Sequence, residues 1–110
     1  MTVNVRLADT FGEFCADGER AAKFRFERID PYVAECDQIN LDFANIRNMN
    51  SSFCNALIAN LISQNSEAII PKLRFQNCRE NIQVLVVAAI ELGVQRLRER
   101  HDQQLMTIPG

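Results

Sequence analysis

The sequence has 110 residues, of which 47% are hydrophobic and 24% are charged, and its formal net charge is −2. This length and composition fit one folded domain and exclude a chain that is disordered throughout. No apolar run approaches the roughly 20 residues that span a membrane, and the slightly acidic balance argues against a general nucleic-acid binder. The first residues show no basic region followed by an apolar one, so we expect a cytoplasmic protein.

The start of the chain predicts a hairpin. Val3, Val5 and Leu7 alternate with polar residues, which is typical of a strand with one buried face. A turn is predicted at residues 8–10, and residues 11–14 are expected to form a short second strand that pairs with the first.

A helix is predicted to follow, with Asp17 as its N-cap. Its apolar residues recur at steps of three and four and predict one buried face, formed by Ala22, Phe26, Ile29 and Val33. The carboxylates and cations between them are expected to form exposed ion pairs. Pro31 is expected to kink or restart this helix, with Asp30 as the new cap.

The middle of the chain predicts a strand and the clearest helix. Ile39, Leu41 and Phe43 alternate with polar residues and indicate a strand, which a polar loop over residues 44–50 follows. Ser51 and Ser52 then signal a helix start. Its predicted buried face consists of Phe53, Leu57, Ile58, Leu61 and Ile62.

The last third predicts one more strand and one long helix. The strand is expected over Ile69, Ile70, Leu73 and Phe75, and Asn77 is expected to cap the helix that follows. The apolar stripe of this helix is predicted to be Ile82, Leu85, Val86, Ala89, Ile90, Val94 and Leu97.

The four cysteines, Cys15, Cys36, Cys54 and Cys78, are far apart in sequence and include no C-x-x-C pair. The only histidine, His101, lies near the end of the chain, so we expect no metal site. The cysteines are expected to be reduced, several of them in the core.

Residues 39–58, INLDFANIRNMNSSFCNALI, combine a buried strand, a polar loop, two serines and an amphipathic helix. In this arrangement the chain resembles the STAS domains (sulfate transporters and anti-sigma-factor antagonists), and more closely the bacterial STAS-like domains of undefined function. The resemblance extends from about Val3 to about Arg100. Its motif residues here are Leu41, Asp42, Phe43, Ile46, Met49, Ser51, Ser52 and Phe53.

The resemblance implies an α/β fold. We expect a single STAS-like domain over residues 1–101, with a mixed sheet of about four strands and helices largely on one face. Residues 102–110 are expected to form a polar C-terminal tail that is frayed.

The resemblance also implies a function. In classical members, a kinase of the GHKL ATPase type, which is also an anti-sigma factor, phosphorylates a serine of this motif, and the unphosphorylated domain binds that kinase. Ser51 and Ser52 match the phosphorylated positions, Asn50 stands at the acidic position, and Phe53 stands at the glycine. We therefore expect a regulatory module that is not an enzyme and needs no cofactor. The residues expected to bind the partner are Arg47, Asn48, Met49, Asn50, Phe53, Asn55, Ala56 and Ala59.

Three alternatives remain at this point. Ser51 or Ser52 is expected to serve simply as a helix cap if the site has no regulatory role. A second alternative is a scaffold module without phosphorylation, in one version a homodimer; the departures at Asn50 and Phe53 motivate it, since Phe53 fills either an interface or the core. A third reading is a thiol-dependent enzyme that uses Cys54, close to the positive end of the helix. In none of these readings do we expect a nucleic-acid or membrane partner.

Overall fold

A computed structural model describes the backbone of residues 1–106 and the side chains of residues 1–100. Two short 3₁₀ turns, Asp30–Tyr32 and Glu67–Lys72, connect larger elements, and a π turn, Asn55–Ala59, joins two short helices into a continuous central helix over residues 51–64. The strands and α-helices are, in chain order, β1 (Thr2–Arg6), α1 (Leu7–Phe11), β2 (Phe14–Cys15), α2 (Gly18–Arg28), β3 (Gln38–Asp42), β4 (Asn48–Met49), α3 (Ser51–Cys54), α4 (Asn60–Gln64), β5 (Leu73–Gln76) and α5 (Glu80–Met106).

The strands form two separate parallel sheets, so the α/β class is confirmed but the single mixed sheet of about four strands is wrong. The larger sheet has the order β1-β3-β5, and its register places Val5, Leu41 and Phe75 side by side. The smaller sheet pairs β2 with β4. Parallel strands need long crossovers, which here contain the helices.

The predicted hairpin is also wrong, because residues 7–11 form α1 rather than a turn and a strand. Gly12 ends this helix with a φ of 75°, a value that favours glycine, and its N–H bonds to the Ala8 carbonyl at 3.0 Å. The chain thereby turns away from β1 and cannot pair back with it. Phe14 and Cys15 pair instead with β4, more than 30 residues later in the sequence.

The core lies between one face of the larger sheet and the helices. Val5, Ile39 and Leu41 point into it, whereas Asn4 and Asn40 on the opposite face join their side chains at 2.8 Å. The central helix packs against both α2 and α5. Its predicted face is confirmed, since the following residues are all buried: Phe53, Leu57, Ile58, Leu61 and Ile62.

The predicted face of α2 needs correction. Asp17 does cap the helix, accepting from the N–H groups of Glu19 and Arg20. However, Phe26 is 71% exposed, and the buried positions are Ala21 and Arg25. The cause is that α2 ends at Arg28, before the 3₁₀ turn Asp30–Tyr32. The spacing of apolar residues up to Val33 therefore spans a helix and a separate turn, and it does not describe one helix face.

The end of the chain also differs from the prediction. The 3₁₀ turn Glu67–Lys72 contains Pro71, so β5 begins only at Leu73. Asn77 adopts a φ of 58° and bonds to Asp42 instead of capping α5. The helix itself extends through Met106, past the predicted domain end at residue 101, and residues 107–110 of the expected tail lie outside the described residues. Within the described chain, no helix has the length and apolarity needed to cross a membrane.

Candidate functional site

The two motif serines lie in the first turn of the central helix, and both are exposed. The cap is Asn50, whose side-chain oxygen accepts from the Phe53 N–H at 2.9 Å. The expectation that a serine caps this helix is therefore wrong. Among the described side chains, neither serine hydroxyl is engaged in a hydrogen bond, and both residues are exposed.

The smaller sheet fixes the position of these serines. The N–H of Arg47 bonds to the Glu13 carbonyl at 2.8 Å, and the N–H of Asn50 bonds to the Cys15 carbonyl at 3.1 Å. The Asn50 amide also donates to the Ala16 carbonyl at 3.0 Å. Residues 13–18 thus run beside residues 47–52, and the loop that carries the serines is fastened to the start of α2.

Ser52 lies directly against the first residue of α2. A Cβ atom on Gly18 would stand 2.6 Å from the Ser52 Oγ and 3.0 Å from the Ser52 carbonyl oxygen. Both distances are shorter than ordinary van der Waals contact, so only glycine fits without a shift of its neighbour. Any group added to the Ser52 hydroxyl therefore has α2 beside it.

The expected partner-binding residues divide into three groups by exposure. Arg47, Asn48 and Asn50 are exposed, and Asn55 and Ala56 are half-buried. The other three are corrections, because their side chains lie in the core and face no partner: Met49, Phe53 and Ala59.

Phe53 has a specific place in that core. Its ring meets the Phe11 ring edge-on, with 4.8 Å between the ring centroids, and Phe11 packs in the same way on Phe24. A large apolar side chain at this position of the motif is thus used for packing between α1, α2 and the central helix.

Sequence reasoning missed one residue of this surface. Phe14 pairs with Asn48 in the smaller sheet and is 63% exposed. Beside it is a shallow cavity of about 150 Å³, lined in part by Cys15, Asn48 and Asn50. The strand that contains Phe14 has only two residues, too few for an alternation that would separate a buried side from an exposed one. The exposed Phe14 ring thus lies beside Asn48, on the strand that leads into the serine-bearing helix.

A buried arginine ties α2 to the π turn. Arg25 is only 5% exposed, which corrects its assignment to exposed ion pairs. Its Nε donates to the Ala56 carbonyl at 3.0 Å, and its guanidinium pairs with Asp30 at 2.5 Å and bonds to Gln64 at 3.1 Å. Through these bonds one guanidinium joins α2, the proline turn and the central helix.

The cysteines lack the surroundings of nucleophiles. Cys54 is fully buried, and burial, with a smaller contribution from Cys78, raises its pKa to about 12. Its thiol donates to the Leu85 carbonyl at 3.3 Å. Burial likewise raises the pKa of Cys15 to about 11. At neutral pH these thiols are protonated, which removes the physical basis for a Cys54 nucleophile. The described side chains bring no three potential metal ligands together.

Asp42 closes β3 and anchors the loop that leads to the serines. Its Oδ1 accepts from the Asn77 amide at 2.8 Å and from the Ala44 N–H at 2.9 Å. These two hydrogen bonds hold the pKa of Asp42 below its ordinary value, and the bond from Asn77 has the larger effect on it. Its carboxylate thus has a structural role here.

These features define an α/β domain with an exposed serine pair at the start of its central helix. Residues 20–83 match the family model described as STAS-like domain of unknown function, and the chain belongs to that family. The matched region includes most of α2, the serine loop, the whole central helix and the first residues of α5. No curated protein and no solved structure matches the chain.

Proposed function

We propose that this chain is a regulatory protein-binding module whose contact with its partner is switched by phosphorylation of Ser51 or Ser52. The observation that supports this proposal is the exposure of both hydroxyls, with the capping role taken by Asn50. The partner is a serine kinase of the GHKL type that also acts as an anti-sigma factor, as in the classical relatives that the motif resembles.

The chemistry of the switch follows from charge. The γ-phosphoryl group of ATP moves to a serine Oγ, the hydroxyl proton is lost, and ADP leaves. The product carries about −1.5 to −2 additional charge on a surface that was neutral at these positions. Contact between Ser52 and Gly18 adds a steric component, because a phosphate there would press on the start of α2. Charge and shape of the binding surface would change together.

The unmodified surface offers the features that a partner needs. Phe14 supplies an exposed aromatic ring, and Arg47, Asn48 and Asn50 supply polar groups around it. Aromatic and arginine side chains are the usual anchors of protein interfaces. The binding surface that we propose therefore contains Phe14 in place of the three predicted residues that are buried, Met49, Phe53 and Ala59.

The two departures from the classical motif are compatible with this proposal. Asn50, at the acidic position, keeps a capping oxygen and adds the bond to Ala16. Phe53, at the glycine position, turns inward and leaves the serines uncovered. The scaffold alternative rests on the same two departures, and the burial of Phe53 speaks only against the version in which this side chain fills an interface.

Phosphoryl transfer is tested by incubating the full chain with a candidate GHKL kinase and ATP, followed by intact-mass measurement and peptide mapping. We expect the gain of one phosphoryl group, lost in the Ser51→Ala, Ser52→Ala double variant. Ser66 is an internal control, because it is exposed at the start of a 3₁₀ turn yet lies outside the motif. Absence of both phosphoryl gain and complex formation in ADP would refute the proposal, as would modification of Ser66 alone.

The binding surface is tested by titrating the kinase with variants in the presence of ADP. Phe14→Ala is expected to weaken the complex at least about tenfold. Val84→Ala is the matched control, because Val84 is an equally exposed apolar residue on α5. Equal effects of both variants would show that Phe14 is not part of the interface. Light scattering of the free chain is expected to give the mass of a monomer.

A further inference from the structure

The long helix α5 carries apolar residues on its solvent side as well as on its core side. Its core side packs on the central helix, and Ile82 and Ala89 are fully buried there. On the solvent side, Val84 is 69% exposed and Val87 is 53% exposed. Within the described residues, no other element covers these two valines, so the solvent side of α5 is an apolar face without a partner in its own chain.

The solvent side of α5 has the spacing of a contact between two helices. One line of residues, alternately four and three positions apart, runs along it for about five turns. We call this line the α5 seam, and it consists of Glu80, Val84, Val87, Glu91, Val94 and Arg98. All of these residues are exposed except Val94, which is half-buried. Alternating steps of four and three are the repeat with which two helices pack side by side in a coiled coil.

The charges of the α5 seam are self-complementary. A carboxylate, Glu80, lies at its N-terminal end, and a guanidinium, Arg98, lies at its C-terminal end. Neither forms an ion pair with another described side chain. In a second copy whose α5 lies antiparallel, the partner's Arg98 faces Glu80 and the partner's Glu80 faces Arg98, so one two-fold axis forms two ion pairs. A parallel arrangement would instead bring like charges together at both ends, which disfavours it.

The apolar residues of the seam meet in the same antiparallel register. In that register Val84 lies opposite the partner's Val94, and the same count places Val87 opposite the partner's Glu91. A shallow cavity of about 580 Å³ lies on this side of α5, lined by Glu80, Gln83, Val84 and Val87. Four residues with this spacing form the hole that accepts one side chain of a facing helix. The partner's Val94 would occupy it.

We infer that a second copy of this chain covers the α5 seam, with the two α5 helices antiparallel and with Glu80 and Arg98 paired across the two-fold axis. Glu91 keeps this dimer weak, because a polar side chain at a seam position fixes the register at a cost in stability. Few apolar side chains become buried, so we expect a dissociation constant on the order of 100 µM. The free chain is then a monomer in dilute solution and a dimer near millimolar concentration.

This dimer leaves the serine surface open. α5 contacts the central helix through its buried side, and the α5 seam points away from that helix. Ser51 and Ser52 lie in the first turn of the central helix. The inference does not depend on the proposed phosphorylation, and the experiments below contain neither kinase nor ATP, so each proposal can fail without the other.

Sedimentation equilibrium of the full chain between about 10 µM and about 1 mM tests whether the dimer forms. We expect the average mass to rise from that of one chain toward that of two and to stop there, since a two-fold contact is closed. Amide NMR signals of Val84 and Val87 are expected to shift with concentration, while those of Ser51 and Ser52 stay in place. The mass of a single chain at the highest concentration would overturn the inference, as would growth beyond two chains.

Charge exchange tests the antiparallel pairing. Glu80→Arg and Arg98→Glu each put like charges together in both pairs, so each is expected to weaken the dimer at least about tenfold. Combining both substitutions in one chain restores opposite charges across the two-fold axis and is expected to restore the dimer. In a parallel dimer the combined substitutions would restore nothing. A doubly substituted chain as weak as either single variant would therefore refute the pairing.

Two further variants separate this contact from a general effect of charge. Glu99→Arg is the matched control, because Glu99 is exposed but lies about 100° around the helix from Arg98, off the seam. We expect it to change the dissociation constant by less than about twofold. Glu91→Leu is expected to tighten the dimer at least about tenfold, since it removes the one charged side chain that faces a valine. An effect of Glu99→Arg equal to that of Glu80→Arg, or no gain from Glu91→Leu, would contradict the inferred contact.

Discussion

Arg25 offers the sharpest test of how this fold is held together. Replacing it with methionine keeps most of its length and removes its charge. Three acceptors then lose a partner: the Ala56 carbonyl of the π turn, the Asp30 carboxylate and the Gln64 amide oxygen. All three lie on elements that Arg25 connects, so the contacts between α2 and the central helix are affected together.

The expected cost follows from these partners. Removing one member of a buried ion pair costs about 3–5 kcal/mol. The Asp30 side chain is 21% exposed and regains some hydration, which places the total near the lower end. We expect Arg25→Met to lower the free energy of unfolding by about 3 kcal/mol, a large share of the 5–15 kcal/mol typical of a domain.

Urea denaturation followed by circular dichroism measures this cost. Arg28→Met is the matched control, because Arg28 lies one turn further along α2 and is exposed. We expect the control to change stability by less than about 0.5 kcal/mol, apart from a weak interaction with the Phe24 ring. Adding Asp30→Asn to the Arg25→Met chain should restore about 1 kcal/mol, since a neutral amide replaces an unpaired carboxylate. Equal losses for Arg25→Met and Arg28→Met would refute the reasoning.

Three further predictions concern other parts of the molecule. Gly18→Ala is expected to lower stability by about 1 kcal/mol in urea unfolding, because the new Cβ meets the Ser52 carbonyl oxygen as well as its Oγ; no loss would mean that Ser52 and the helix start shift freely. Iodoacetamide is expected to modify half-buried Cys78 before the three buried cysteines, as followed by intact mass, and early modification of a buried one would contradict the packing. The pKa of Asp42 is lowered in the folded chain, so the stability that its carboxylate contributes is present above the ordinary value of 3.8 and lost as the pH falls through the lower folded value. Asp42→Asn should remove that part of the acid sensitivity in urea unfolding at a series of pH values, and an unchanged profile would contradict this account.

The parts of the fold that sequence predicted are those with a strong local period. β3 and the buried face of the central helix follow from spacing alone, because every second or every third to fourth residue is apolar. The Asp17 cap was predictable because its acceptor lies next to the helix that it caps. In each case the signal lies in the spacing or identity of residues that are near neighbours in the chain.

The errors concern contacts between residues far apart in sequence. β2 and β4 contain two residues each, too few for a period, and they exist only because Phe14 and Asn48 come together. The burial of Arg25 depends on the Ala56 carbonyl, which lies 31 residues later. At the helix start, Asn50, Ser51 and Ser52 are all suitable caps, so composition could not select Asn50.

The π turn lets the central helix hold one residue more than a regular α-helix would between the serines and its C-terminal half. Because the extra residue is contained in one wider turn, the residues before and after it keep nearly the faces that they would have in an unbroken α-helix with one residue fewer. Deletion of one residue from Asn55–Ala59 is therefore expected to restore a regular helix and to leave Ser51 and Ser52 on nearly the same side of its axis. A homologue that lacks this extra residue would present serines that are equivalent to these in space, although an alignment needs a one-residue gap to match them.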